Sequence, residues 1–209
     1  MSIGSGVQRH CESAMHLKHV LLLGTVLSLL SAYPAHAQPR GRDGIGLTMV
    51  PRILISGGHS GDPRVPLVHA AVAHWNAVLA GIGSGFRLGP VSTGGSASGQ
   101  PGAIVVVLSD GVFVSHVKRL PGGQGAVAMI RTASVPPLTL PNAARNVIAH
   151  ELGHAIGLGH NSDPAMLMCG RPAPCRPEAF VSQTPRYFPL SGAERSRLLA
   201  MYPPGWKGQ

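Results

Sequence analysis

The stretch His150 to His160, HELGHAIGLGH, constrains the fold more than any other part of this chain of 209 residues. On a helix, His150 and His154 are four positions apart, so their side chains leave one face a turn apart and can hold one ion. Glu151, the next residue, stands close enough to act as a base without being a ligand. Gly157 lets the chain leave the helix in a conformation closed to residues with a side chain, and the reversal brings His160 back toward the first two histidines. Imidazole nitrogens suit Zn²⁺ at about 2.0 to 2.1 Å; three neutral ligands and one open position describe a catalytic site, because structural sites are closed by four protein ligands. A helix of solvated histidines explains neither Gly157 nor His160. The pattern demands a helix, a sharp exit and a returning loop.

The surrounding sequence supplies the rest of a small α+β domain. Asn142 is placed to cap the histidine helix, which carries Ala143 to about Ile156. Upstream, Val65, Val68, Val72, Trp75, Leu79 and Ile82 recur at steps of three and four, one apolar face of a long helix that packs on a sheet. LTMVPRILIS (Leu47 to Ser56) alternates as a strand, with Pro51 pushing it to a sheet edge or a bulge. Phe86 to Val91 reads as a short strand, and Ser92 to Gly102 as a flexible loop with nothing to bury. AIVVVLSDG (Ala103 to Gly111) is a continuous apolar strand covered on both faces, and GAVAMIRTA (Gly125 to Ala133) is a further strand. Ser191 and Glu194 form a capping box that starts a C-terminal helix. His59, His69, His74 and His116 have no spacing that gathers them, and read as solvated or hydrogen-bonded histidines.

Residues 1–37 read as a secretory signal: Lys18 precedes the apolar run Val20 to Ala32, and Ala35-His36-Ala37 offers a small-x-small cleavage site. The run of thirteen residues is short for a membrane span. The predicted organisation is a signal over 1–37, with Met15 an alternative start, and one domain over 38–209. The mature protein is expected to be exported, secreted or periplasmic, without a stable membrane anchor. Without Arg9, Glu12 and Lys18, the 17 basic and 8 acidic residues become 15 and 7, a net charge of +8. That balance favours anionic partners through long-range attraction. The basic residues are scattered with few aromatics among them, which excludes a nucleic-acid footprint. Gln38 to Gly46 reads as a frayed tail. Cys169 and Cys175, an even pair six positions apart in an exported chain, read as one local disulfide.

The spacing HExxHxxGxxH resembles the extended signature of the metzincin metalloproteases, matched here at every defined position. HNSDPAMLMCG (His160 to Gly170) is similar to the segment leading into the Met-turn of the matrixin branch, and FPLSGAERSRLLAMY (Phe188 to Tyr202) to the matrixin C-terminal helix. The likeness is sharp over His150 to Met168, fair over Phe188 to Tyr202, and one of element order before that. It implies a bacterial, secreted type of member with an α+β fold of the zincin kind: a twisted, mostly parallel sheet with an antiparallel edge strand, a long helix, an active-site helix, and a small irregular C-terminal subdomain ending in a helix. It also implies one catalytic Zn²⁺ held by His150, His154 and His160, Glu151 as the catalytic base, and Met168 as the Met-turn methionine, an apolar floor beneath the site, with Met166 ordinary core. The implied partner is a protein or peptide substrate, extended beside an edge strand around Ala126 to Ile130, its pocket walled by Met166 to Tyr187; the implied state is a monomer. Two departures stand out. Val91 to Ala126 offers only His116 and Asp110 for the structural zinc and calcium sites of animal matrixins, so neither is expected. No cysteine between Gln38 and Met168 is available to block a metal. Two other readings remain open: a zinc-binding secreted protein without peptidase activity, and a zinc hydrolase acting on a cell-wall peptide amide.

Overall fold

A computed structural model describes residues 45–170 and 181–208. The signal segment and Cys175 lie outside the described residues.

Pro51, which has no N–H to give to a ladder, stands just before the first strand, and β1 (Arg52–Gly57) begins after it. The chain continues through α1 (Arg64–Gly81), β2 (Val91–Thr93), β3 (Ala103–Leu108), β4 (His116–Arg119), β5 (Gly125–Ile130), α2 (Pro141–Ala155) and α3 (Gly192–Met201). One sheet has the order β2-β1-β3-β5-β4. The β1/β2, β1/β3 and β3/β5 pairs are parallel, and β4 runs antiparallel to β5. The fold is therefore α+β, and the described residues form a mostly parallel five-stranded sheet with an antiparallel edge strand and three α-helices.

Register explains how the sheet is buried. Ile53, Ile104 and Ala126 lie side by side across β1, β3 and β5, followed by Ile55, Val106 and Ala128. These face a core shared with Val68, Val72, Trp75 and Leu79 of α1 and with Ile148 and Leu152 of α2. Each valine, leucine or isoleucine among them contributes about 1.5 to 3 kcal/mol when fully buried. Trp75 Nε1 donates to Ala149 O at 2.9 Å and so ties α1 to the helix that carries the histidines. On the opposite face, Ala103, Val105 and Val107 form a second apolar cluster with Leu54, Val127 and Met129. Every residue of β3 is buried, as its unbroken apolar run predicts.

Several local expectations need correction. β1 is interior, because β2 adds a further parallel strand beyond it. The short strand after α1 starts at Val91; Phe86 and Leu88 instead bury their side chains as irregular chain. The Gly-Ser loop after β2 does have something to cover: a Cβ on Gly95 would lie 2.8 Å from Leu54 Cβ, and one on Gly99 would lie 2.7 Å from Leu120 Cδ2 and 3.2 Å from Val127 Cγ2. Its glycines let backbone lie directly against the second sheet face. β5 is not an edge, since β4 flanks it; among the described residues the edge strands are β2 and β4, and β4 is the one beside β5. The tail expected to fray is anchored at Ile45 and Gly46, where Arg119 donates to Ile45 O and a Cβ on Gly46 would meet the Tyr202 ring at 3.0 Å.

Asn142 does not cap α2. The helix begins two residues earlier than expected, at Pro141, whose missing N–H and fixed φ suit a first turn, with Leu140 at the N-cap and no side-chain cap. The capping box of Ser191 and Glu194 is present at α3. A buried ion pair holds the start of α1, with Arg64 Nη2 at 2.6 Å from Asp62 Oδ2. Arg64 Nη1 also donates to Ser109 O at 2.7 Å and Arg131 O at 2.9 Å, just beyond β3 and β5. Among the described residues no helix is long and apolar enough to cross a membrane.

Candidate metal centre

α2 ends where the sequence requires it to. Gly157 has φ +106, and the N–H groups of Gly157 and Leu158 donate to His154 O and Gly153 O, both at 3.0 Å. This is a Schellman closure, in which the residue of positive φ reverses the chain. Beyond it, Asn161 N donates to Met168 O and Gly170 N donates to Asn161 O, each at 2.9 Å, which folds 161–170 back on itself. His160 therefore rests against Gly170, where a Cβ would come within 2.3 Å of His160 Cγ.

The three histidines predicted as ligands come together. The Nε2 atoms of His150 and His154 are 2.9 Å apart, those of His154 and His160 2.9 Å, and those of His150 and His160 3.2 Å. A tetrahedral ion with ligands at about 2.0 to 2.1 Å would separate neighbouring nitrogens by roughly 3.3 Å, so the triangle fits one ion. The tautomers fit as well. His150 Nδ1 lies 2.8 Å from Leu167 O, and His154 Nδ1 lies 2.8 Å from Leu158 O. A carbonyl only accepts, so each Nδ1 carries the proton and each Nε2 turns a bare lone pair toward the others. The two such lone pairs, on nitrogens 2.9 Å apart, repel one another unless a cation lies between them. Burial, then the nearby His154, hold the His150 pKa down to about 3, against the Leu167 carbonyl, which raises it; His160 also contributes in the downward direction. Neutral imidazoles are the form that binds metal.

Glu151 is on the same helix, 5% exposed, with Oε2 buried and without a hydrogen-bond partner among the described residues. Burial pushes its pKa up to about 8, and a divalent ion beside it would act in the opposite direction. Met168 is fully buried, and a Cβ on Gly153 would lie 2.5 Å from its sulfur, so it packs against the helix between the two ligand turns. Met166 is half-buried and not core; Leu167, between the two methionines, takes that place. Cys169 is disulfide-bonded. Of the 166–187 wall expected for the pocket, residues 171–180 are outside the described residues. His59, His69 and His116 are exposed, away from the cluster, and His74 stacks on Tyr187 with ring centroids 3.9 Å apart.

Sequence reasoning missed the carbonyls of Leu158 and Leu167, since a backbone acceptor carries no residue-type signal. It also misjudged Asn142 and passed over Asn146, although Asn142, Asn146, His150 and His154 follow one another at steps of four. Compared with protein-family profiles and with curated proteins, the chain has no match.

Proposed function

We propose that this chain is a secreted zinc-dependent endopeptidase of the metzincin kind, with His150, His154 and His160 as ligands, Glu151 as proton carrier and Met168 as the Met-turn floor. The observation that carries this reading is the convergence of three imidazole Nε2 atoms, two of them deprotonated by their Nδ1 bonds, beside a buried glutamate that is not a ligand. Three nitrogen donors suit zinc, and among the described residues three of its four positions are supplied, with no thiolate or carboxylate in the cluster. When bound, the ion supplies Lewis acidity, which polarises a carbonyl and makes water a nucleophile at neutral pH.

The chain's own groups do the remainder. The Leu158 and Leu167 carbonyls hold the two helix imidazoles in one orientation. Glu151 accepts a proton from water and returns it to the leaving amine; its burial favours the protonated form enough to make that return possible. β4 has a free side on which an extended peptide can add as a further strand, fixing its scissile bond relative to the histidines. Export through residues 1–37 and the basic surface complete the reading, with anionic targets attracted at long range.

The test is cleavage of denatured casein by the wild type, by a chelated sample and by Glu151→Gln. Cleavage by the wild type alone is expected, with the variant down by about 10² to 10⁴ at undiminished zinc content. One equivalent of zinc with no cleavage by the wild type would sink the peptidase reading and leave a zinc-binding protein or a hydrolase of another amide.

A further inference from the structure

Asn142 and Asn146 are 2% and 3% exposed. Each carboxamide has one acceptor oxygen and two donor hydrogens, the same groups a peptide strand presents. Both are spent on one stretch of irregular chain, residues 182–188. Asn142 Nδ2 donates to Ser182 O and Thr184 O, both at 2.8 Å, while its Oδ1 accepts from Arg186 N at 3.2 Å. Asn146 Nδ2 donates to Arg186 O at 3.0 Å and Asn142 O at 2.8 Å, while its Oδ1 accepts from Phe188 N at 2.9 Å. Alternate residues 182, 184, 186 and 188 are thus paired with the helix as if it were a neighbouring strand.

The chain held in this way leads to the metal ligands. Pro189, next to the last clamped residue, accepts from Leu167 N at 2.7 Å, and Leu167 O is the acceptor for His150 Nδ1 at 2.8 Å. Leu167 is therefore held through its N–H by the segment that Asn146 clamps and through its carbonyl by the imidazole. Phe188 and Leu190, both 5% exposed, bury their side chains in the core on either side of Pro189 and limit how far it can move. Asn146 sits one turn before His150, so α2 and the clamped segment run alongside each other up to the site.

We infer that Asn146, with Asn142 behind it, is a positioning residue for the metal ligand His150, acting through Phe188, Pro189 and the Leu167 carbonyl. The inference rests on the metal-centre reading above. Partners that orient a ligating imidazole typically change metal affinity by about 10- to 100-fold when lost. A carboxamide is needed here because leucine offers no group to Phe188 N or Arg186 O, so the peptide that aims His150 loses its support.

The experiment uses the full chain in three forms: wild type, Asn146→Leu, and Ile53→Ala, a core truncation in β1 that costs stability without touching this path. Zinc affinity is read by competition with a chromophoric chelator, and ligand geometry by the visible absorption of the Co²⁺-loaded protein. The expected result is an affinity about tenfold or more below wild type for Asn146→Leu, with an altered cobalt spectrum. Ile53→Ala should keep both properties although it unfolds at a lower denaturant concentration. If Asn146→Leu does not fold, the smaller Asn146→Ser supplies the same comparison. Wild-type affinity and spectrum in the asparagine variant, or an equal loss in Ile53→Ala, would overturn the inference while leaving the metal centre standing. Failure of the wild type itself to bind zinc or cobalt would remove both.

Discussion

Gly170 is the residue on which the third histidine rests. A methyl group there would lie 2.3 Å from His160 Cγ and 2.6 Å from its Cβ, the root of the side chain, which has no torsion left to relieve the overlap. Gly170→Ala should therefore displace His160 and lower zinc affinity by about tenfold or more, by analogy with the loss of an orienting contact. Calorimetric titration of the folded variant measures this, and an unchanged affinity would show that His160 is not held by this contact. Gly157 has a different reason for being glycine, a φ of +106 that few other residues adopt. The sequence shows that His150, Glu151, His154, Gly157 and His160 belong together, because their spacing is a helix plus one reversal. It does not show which of Met166 and Met168 is buried, since they are two positions apart in irregular chain, and packing against Gly153 selects Met168.

At the scale of elements, the Asp62–Arg64 pair joins the start of α1 to the chain just beyond β3 and β5. Removing one partner of a buried pair leaves the other charge uncompensated, so Asp62→Ala should cost about 3 to 5 kcal/mol in urea unfolding. Burial alone would raise the Asp62 pKa, but hydrogen bonds and charge from Arg64, with a smaller part from His59, leave it below its ordinary value of 3.8. A lowered folded pKa gives stability that is complete above the unfolded value and is lost as pH falls through the folded one. Wild-type stability should therefore drop more steeply than that of Asp62→Ala on acidification below about pH 4, as denaturant midpoints across that range would show. Parallel slopes would mean that the pair adds nothing to the native state. The same scale explains the misplaced edge strand: β4 has only four residues, HVKR, too few and too polar to announce a strand, so the stronger pattern of β5 took its place.

Across the whole molecule, Tyr202 joins segments that are far apart in the chain. Its hydroxyl donates to Ile156 O at 2.8 Å and accepts from Leu47 N at 2.7 Å, and its ring stacks on Phe86 with centroids 4.1 Å apart. Burial raises its pKa to about 12, although the Leu47 N–H and Arg119 pull the other way, so the phenol stays protonated. Tyr202→Phe should cost about 1 to 3 kcal/mol by leaving a buried carbonyl and a buried N–H unpaired, a loss that urea titration would resolve. Zinc should add to global stability: at a free concentration of a hundred times its Kd the gain is about 2.7 kcal/mol, and a chelator should lower the melting temperature accordingly. A melting temperature indifferent to chelation would argue against an ion bound only by the folded form. Local patterns were enough to place α1, β3, α2, the Gly157 exit and the α3 capping box, because a helical stripe, an unbroken apolar run and a cap are each written within a dozen residues. The strand order, the edge position of β4, the orienting carbonyls of Leu158 and Leu167 and the Asn142–Asn146 clamp arise from contacts between residues far apart in the chain or from backbone groups that every residue has, and folding alone brings them together.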